Sequence, residues 1–154
     1  MRQIHYQRSG WFTVNVFNRL VAVLTRLGVS VWGSRLLAVR GRKTGQWRTT
    51  PVNLLEYQGQ RYLVAPRGDT HWVRNLRSSG EGRLSLGRRS ETFRATELPD
   101  SDKTDLLRAY LRRWKFEVGT FFGGVEPNAP EQDLQRIAPE HPVFKVEAAR
   151  PHTG

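Results

Sequence analysis

Between Arg35 and Leu98 short runs of β-forming residues are separated by breaks rich in glycine, proline or polar side chains, with no internal sequence repeat. Arg35–Arg40, Thr49–Tyr57, Arg61–Ala65, Arg83–Leu86 and Glu91–Leu98 are the runs. Gly41–Gln46, Gln58–Gly59–Gln60 and Gly87–Arg88–Arg89 are turns by their glycines. Parallel strands need a crossover of roughly a dozen residues, so connections this short make neighbouring strands antiparallel. Pro51 near the start of the second run suits an edge or a bulge, because proline cannot donate to a ladder.

Three segments read as helix. Phe12, Val16, Leu20, Val23 and Leu27 recur at helical spacing, with Asn15, Asn18, Arg19 and Arg26 mostly elsewhere. A short helix is expected to run through Arg77 after Asp69 or Thr70, either of which can cap it. Leu106, Leu107, Tyr110, Leu111 and Trp114 mark a longer helix, capped by Asp100 or Ser101. Gly119–Pro130 reads as a mobile loop, Glu131–Ile137 as one or two helical turns, and Pro142–Glu147 as a last strand. The expected fold is mainly β: an antiparallel six-stranded split β-barrel with an N-terminal helix, a short helix after the third strand and a longer helix before the last. One domain is expected over 1–154, with helix and linker in 1–34 and the barrel in 35–148.

Charge then narrows the partners. The net charge is +11 and the isoelectric point near 11.1, which favours an anionic ligand or surface. Only four of the 25 basic residues are lysine, so codon bias can inflate the count and placement matters more. The chain has no cysteine, which excludes disulfides, thiolate metal sites and a cysteine nucleophile. His5, His71, His141 and His152 do not cluster for a metal, and none is expected. His71 could protonate a product, although a bond to a loop carbonyl explains it as well. Arg19 and Arg26 interrupt the first apolar stretch, so it is neither a membrane span nor a signal peptide. Its apolar stripe suits a core or a homodimer interface first and a peripheral membrane contact second. The expected location is the cytoplasm, with that membrane contact as the variant.

Arg40-Gly41-Arg42-Lys43-Thr44-Gly45 carries the chemistry. Glycines let backbone N–H groups converge on an anion, Arg42 and Lys43 bring charge, and Thr44 brings a hydroxyl. It is not a Walker A loop: Arg42 stands where that motif has glycine, and a strand follows instead of a helix. A phosphate cradle and a solvated basic turn both fit these six residues. A second loop, Pro66-Arg67-Gly68-Asp69-Thr70-His71-Trp72, follows a strand, and Gly68 permits close approach to a flat ligand.

Read together, Gly41-Arg42-Lys43-Thr44-Gly45-Gln46, Arg48-Thr49-Thr50-Pro51-Val52, Ala65-Pro66-Arg67-Gly68, Trp72 and Asn75-Leu76 resemble the deazaflavin-dependent nitroreductase family, over about Leu36 to Leu98. The resemblance implies a split β-barrel that binds coenzyme F420 and an oxidoreductase that passes hydride from its ring carbon 5. The implied acceptor is a small electron-poor molecule: a quinone, a nitro compound or an activated alkene. By position, Arg42, Lys43, Thr44 and Gly45 would hold the coenzyme phosphate. Arg48, Thr50, Pro51 and Val52 would line the cleft, and Ala65, Pro66, Arg67 and Gly68 would approach the ring, with Trp72 and Asn75 supporting that loop. The chain departs from the best-known relative in a shorter loop between Gly68 and Trp72 and in Val73, where that relative has tyrosine. Tyr110, Trp114 and Phe121 are the candidate substrate wall.

Two other readings remain. The same barrel could use FMN, whose phosphate would suit the same turn, or carry haem or a lipid without turnover. A nonspecific nucleic-acid-binding module rests on the net charge alone. No sequence signature of specific nucleic-acid binding is present, and none is expected as a partner.

Overall fold

The computed structural model describes residues 33–149. The expected N-terminal helix lies outside the described residues, and so do the readings placed on it. Six strands close into one antiparallel barrel: β1 (Ser34–Arg40), β2 (Trp47–Tyr57), β3 (Gln60–Val64), β4 (Glu81–Leu86), β5 (Arg89–Glu97) and β6 (Val143–Ala148), in spatial order β1-β2-β3-β6-β5-β4. The three hairpins β1–β2, β2–β3 and β4–β5 are the ones joined by the glycine turns. Closure comes from three pairings between segments far apart in sequence, one of them β5 with β6 through Ala95 and Val146. β1 meets β4 through Leu37 and Leu84, and β3 meets β6 through Leu63 and Phe144.

Alternation sorts the strand residues into two cores, since successive side chains point to opposite faces. Leu37, Val39, Leu54, Leu63, Leu84, Phe93, Phe144 and Val146 fill the barrel. Helix α1 (His71–Ser79) plugs one end with Val73 and Leu76. Outside the wall, Leu55, Val64 and Val143 pack against α2 (Thr104–Val118) and α3 (Glu131–Ile137). Lys103 is buried just before α2, where its ammonium donates to the Ala138 carbonyl at 2.9 Å and meets Asp100 at 2.8 Å. That contact ties the end of α3 to the start of α2.

Three local expectations change. Thr70 sits at the cap position of α1, but its hydroxyl makes no capping bond. Neither Asp100 nor Ser101 caps α2: a 3₁₀ turn over Asp100–Asp102 intervenes, and Lys103 holds the cap position. Gly119–Pro130, read as a mobile loop, is anchored at two points. It opens with a 3₁₀ turn over Gly119–Phe122, and Phe122 and Val125 are buried in the outer core. Two buried apolar side chains in so short a segment oppose the motion its glycines would otherwise allow.

Candidate functional site

Strand directions bring both sequence motifs to the α1 end of the barrel. β1 runs into the Gly41–Gln46 turn there, β3 runs into the Ala65–Thr70 loop, and β6 begins beside it. The turn closes on itself. Gly41 N–H donates to the Gln46 carbonyl at 2.7 Å, and Gly45 N–H to the Gly41 carbonyl at 2.8 Å. Gly45 has φ +73°, a conformation that side-chain-bearing residues adopt at a cost. Both glycine N–H groups are therefore used inside the turn.

The side chains of the turn divide. Arg40 donates to the Gly45 carbonyl at 3.0 Å and lies 4.6 Å over the Trp47 ring, so it braces the turn. Arg83 stacks on the same indole at 4.7 Å, and Trp47 is still 41% exposed. Arg42 reaches back to α1: its backbone N–H and its guanidinium both donate to Asn75 Oδ1, at 3.1 and 2.8 Å. Asn75 is only 5% exposed. Lys43 is exposed and makes no ion pair with any described carboxylate. Thr44 Oγ1 accepts from Gln46 N–H at 3.2 Å, which leaves its own proton to donate.

The strand residues expected to line one cleft do not share a face. The register puts Arg48, Thr50 and Val52 on the side of Val39 and Leu37, and Pro51 on the opposite side with Leu36. Asn75, expected to support the second loop, bonds the first turn through its Oδ1. Trp72 packs on the barrel core, its ring 6.1 Å from Phe144.

The second loop is clamped by residues from the other end of the sequence. Ala65 N–H donates to the Pro142 carbonyl at 2.9 Å. His141 Nδ1 lies 3.3 Å from the Ala65 carbonyl, which makes Nδ1 the protonated nitrogen of a neutral ring. Burial lowers the His141 pKa; bonds to the Ala65 and Pro66 carbonyls partly offset this. The imidazole stacks on Phe122 at 4.1 Å and 11°. Gly68 has φ +81°, and a Cβ there would sit 3.3 Å from the Glu140 carbonyl. Thr70 Oγ1 is buried without a hydrogen-bond partner, the one such side-chain atom among the described residues. An orphan hydroxyl beside a glycine corner suits a ligand with polar ring substituents, because an unpaired buried donor costs about 1–3 kcal/mol.

Beyond that corner, Pro66, Arg67, Phe121, Glu140 and His141 line a cavity of ≈ 290 Å³. Of the expected wall residues, only Phe121 reaches it. Tyr110 and Trp114 are 1% and 0% exposed in the outer core. The Tyr110 ring packs on Trp114, and its hydroxyl bonds Asn53. Burial raises its pKa well above the usual phenol value. Glu140 and His141 were not legible as site residues. The His-Pro pair before the last strand becomes informative only once β6 is known to pair with β3.

A family model described as F420H(2)-dependent quinone reductase matches residues 13–117, more than half of the chain. Among curated proteins none matches. Of solved structures, one described as F420-H2 Dependent Reductase (FDR-A) is 20% identical, with a TM-score of 0.53 over 75% of this chain and 94% of that one. A protein described as a domain-swapped dimer is 18% identical, with a TM-score of 0.55 over 91% and 99% of the two chains. A conserved hypothetical protein from Mycobacterium tuberculosis is 15% identical, with a TM-score of 0.53 over 87% and 89%. At these identities the structures speak for the split-barrel fold alone. The family match goes further: the chain belongs to the F420H2-dependent quinone reductase family and is an oxidoreductase whose cofactor is coenzyme F420.

Proposed function

We propose that this reductase passes the hydride of reduced F420 to a quinone. The observation that carries the reading is the Arg42–Asn75 tie, which fastens the basic turn to the helix that follows the ring loop. A cofactor joining an acidic phosphate to a flat ring needs two such elements held at a fixed spacing. Lys43, the remaining Arg42 donors and the Thr44 hydroxyl would hold the phosphate, because charge-assisted bonds are the strong ones. Gly45 would keep the turn tight beside it, and Arg48 and Thr50 would flank the same end. Ala65, Pro66 and Gly68 would meet the ring with their backbone, and Thr70 Oγ1 would donate to it. When bound, reduced F420 supplies a hydride from its ring carbon 5. The protein's part is to position the ring and exclude competing reactions.

The quinone assignment draws on the family description and on the adjoining cavity with its aromatic wall at Phe121. It is tested by mixing the protein with reduced F420 and a panel of benzo- and naphthoquinones. Return of the oxidised deazaflavin absorbance is expected, faster than without protein. No acceleration by any quinone, with a nitro compound or activated alkene turned over instead, would reassign the acceptor. A homodimer belongs to the same reading, supported by the domain-swapped neighbour. Light scattering would return twice the chain mass of 17.8 kDa.

A further inference from the structure

The cavity beside the ring loop holds one cation and one anion that do not neutralise each other. Arg67 and Glu140 both line it, and neither forms an ion pair among the described residues. We propose that this cavity is the acceptor subsite, that it takes a neutral planar carbonyl compound, and that Arg67 is its specificity-determining residue. The proposal rests on the F420-reductase reading for its purpose, but not for its geometry.

Three features carry it. The first is a flat apolar wall. Phe121 is half-buried, and the Arg67 guanidinium lies 5.4 Å from its ring centroid. This sets a planar cation with five N–H donors over an aromatic ring at the cavity wall. A flat ring in the cavity, bordered by Phe121 and Arg67 together, would bring a carbonyl oxygen within reach of those donors. The second is a rigid floor. His141 is 3% exposed, stacked on Phe122 and bonded to Ala65, so its neutral ring offers shape and no charge. The third is the charge balance. Glu140 opposes Arg67, so an anionic acceptor attracted by one is repelled by the other. A neutral acceptor keeps the hydrogen bond and avoids the repulsion.

Position completes the argument. Pro66 and Arg67 form the corner whose backbone adjoins the proposed ring position, while the Arg67 side chain turns to the cavity. An acceptor here would be next to the ring, as hydride transfer requires of reacting atoms about 3–3.5 Å apart.

The test is calorimetric titration with 1,4-naphthoquinone of two forms: the protein alone, and the protein loaded with oxidised F420, which cannot reduce the quinone. Arg67→Met is expected to weaken naphthoquinone binding tenfold or more, with partial rescue in Arg67→Lys. Phe121→Ala is expected to weaken it by a similar factor. Glu140→Gln should leave naphthoquinone unchanged and strengthen a sulfonated naphthoquinone several-fold. Wild-type affinity in Arg67→Met, or no naphthoquinone binding by the wild type in either form, overturns the proposal. So does a loss of F420 affinity in Arg67→Met that matches or exceeds the loss for the quinone, since Arg67 would then serve the cofactor. Tight naphthoquinone binding that depends on Arg67, without turnover by reduced F420, would keep the subsite and sink the quinone reductase reading.

Discussion

Arg35, Glu56, Arg61 and Glu91 face one another inside the barrel wall at the end away from α1, whereas Lys43, Arg48 and Arg67 at the α1 end meet no described carboxylate. The first group is self-satisfied. Arg61 and Glu91 form a paired bond, with a second contact at 3.2 Å, and that bond raises the Arg61 pKa. Burial lowers the Arg35 pKa, and Glu56 opposes the shift. The second group has no such ion pairs, whereas Arg77 on α1 is bound to Glu97 at 2.7 Å and to Asp69 at 3.3 Å. Net charge alone therefore does not locate a ligand. An anion gains most where cations lack partners, because elsewhere it must displace a carboxylate already in place.

That contrast can be broken in graded ways. Lys43→Ala is expected to have the largest effect on ligand affinity: about 1.5–3 kcal/mol, or roughly ten- to a hundredfold in the F420 Kd by fluorescence titration, with the melting temperature unchanged. Unaltered affinity would remove the basic turn from the site. Asn75→Ala leaves the Arg42 N–H without its buried partner. It should cost about 1–3 kcal/mol in urea unfolding and also weaken F420, since the turn loses its anchor.

A third test uses pH. The His141 pKa is lowered in the folded state, against about 6.5 unfolded. Above pH 6.5 the ring is neutral in both states. Below it the unfolded chain takes the proton first, so stability falls with falling pH until the folded ring also titrates. His141→Phe should flatten this part of the stability curve relative to wild type. A wild-type curve that does not fall below pH 6.5 more than that of His141→Phe would mean the ring is not buried neutral. The smallest effect is reserved for the opposite end. Glu91→Gln should cost about 0.2–1 kcal/mol, because the pair is partly exposed, and leave F420 affinity as it was.

The hairpins were legible because alternation and glycine turns are local signals. Pairings that close the barrel were not: nothing near Ser34–Arg40 or Gln60–Val64 names β4 or β6 as a neighbour. That gap hid Glu140 and His141, which reach the ring loop only through β6. Glycines misled in Gly119–Pro130, where Phe122 and Val125 decide the outcome. At the basic turn the Gly41 and Gly45 N–H groups close the bend itself, a use of the glycines that their spacing alone does not reveal. Tyr110 and Trp114 show the same limit. Aromatic residues four apart share a helix face, and only packing decides whether that face meets core or cavity.

Trp47 has one more consequence. Its partly exposed indole, in contact with both Arg40 and Arg83, borders the turn through the Arg40–Gly45 contact. Anion docking that shifts Arg40 would change the emission of this tryptophan, so the molecule carries its own optical gauge of occupancy, readable without a label.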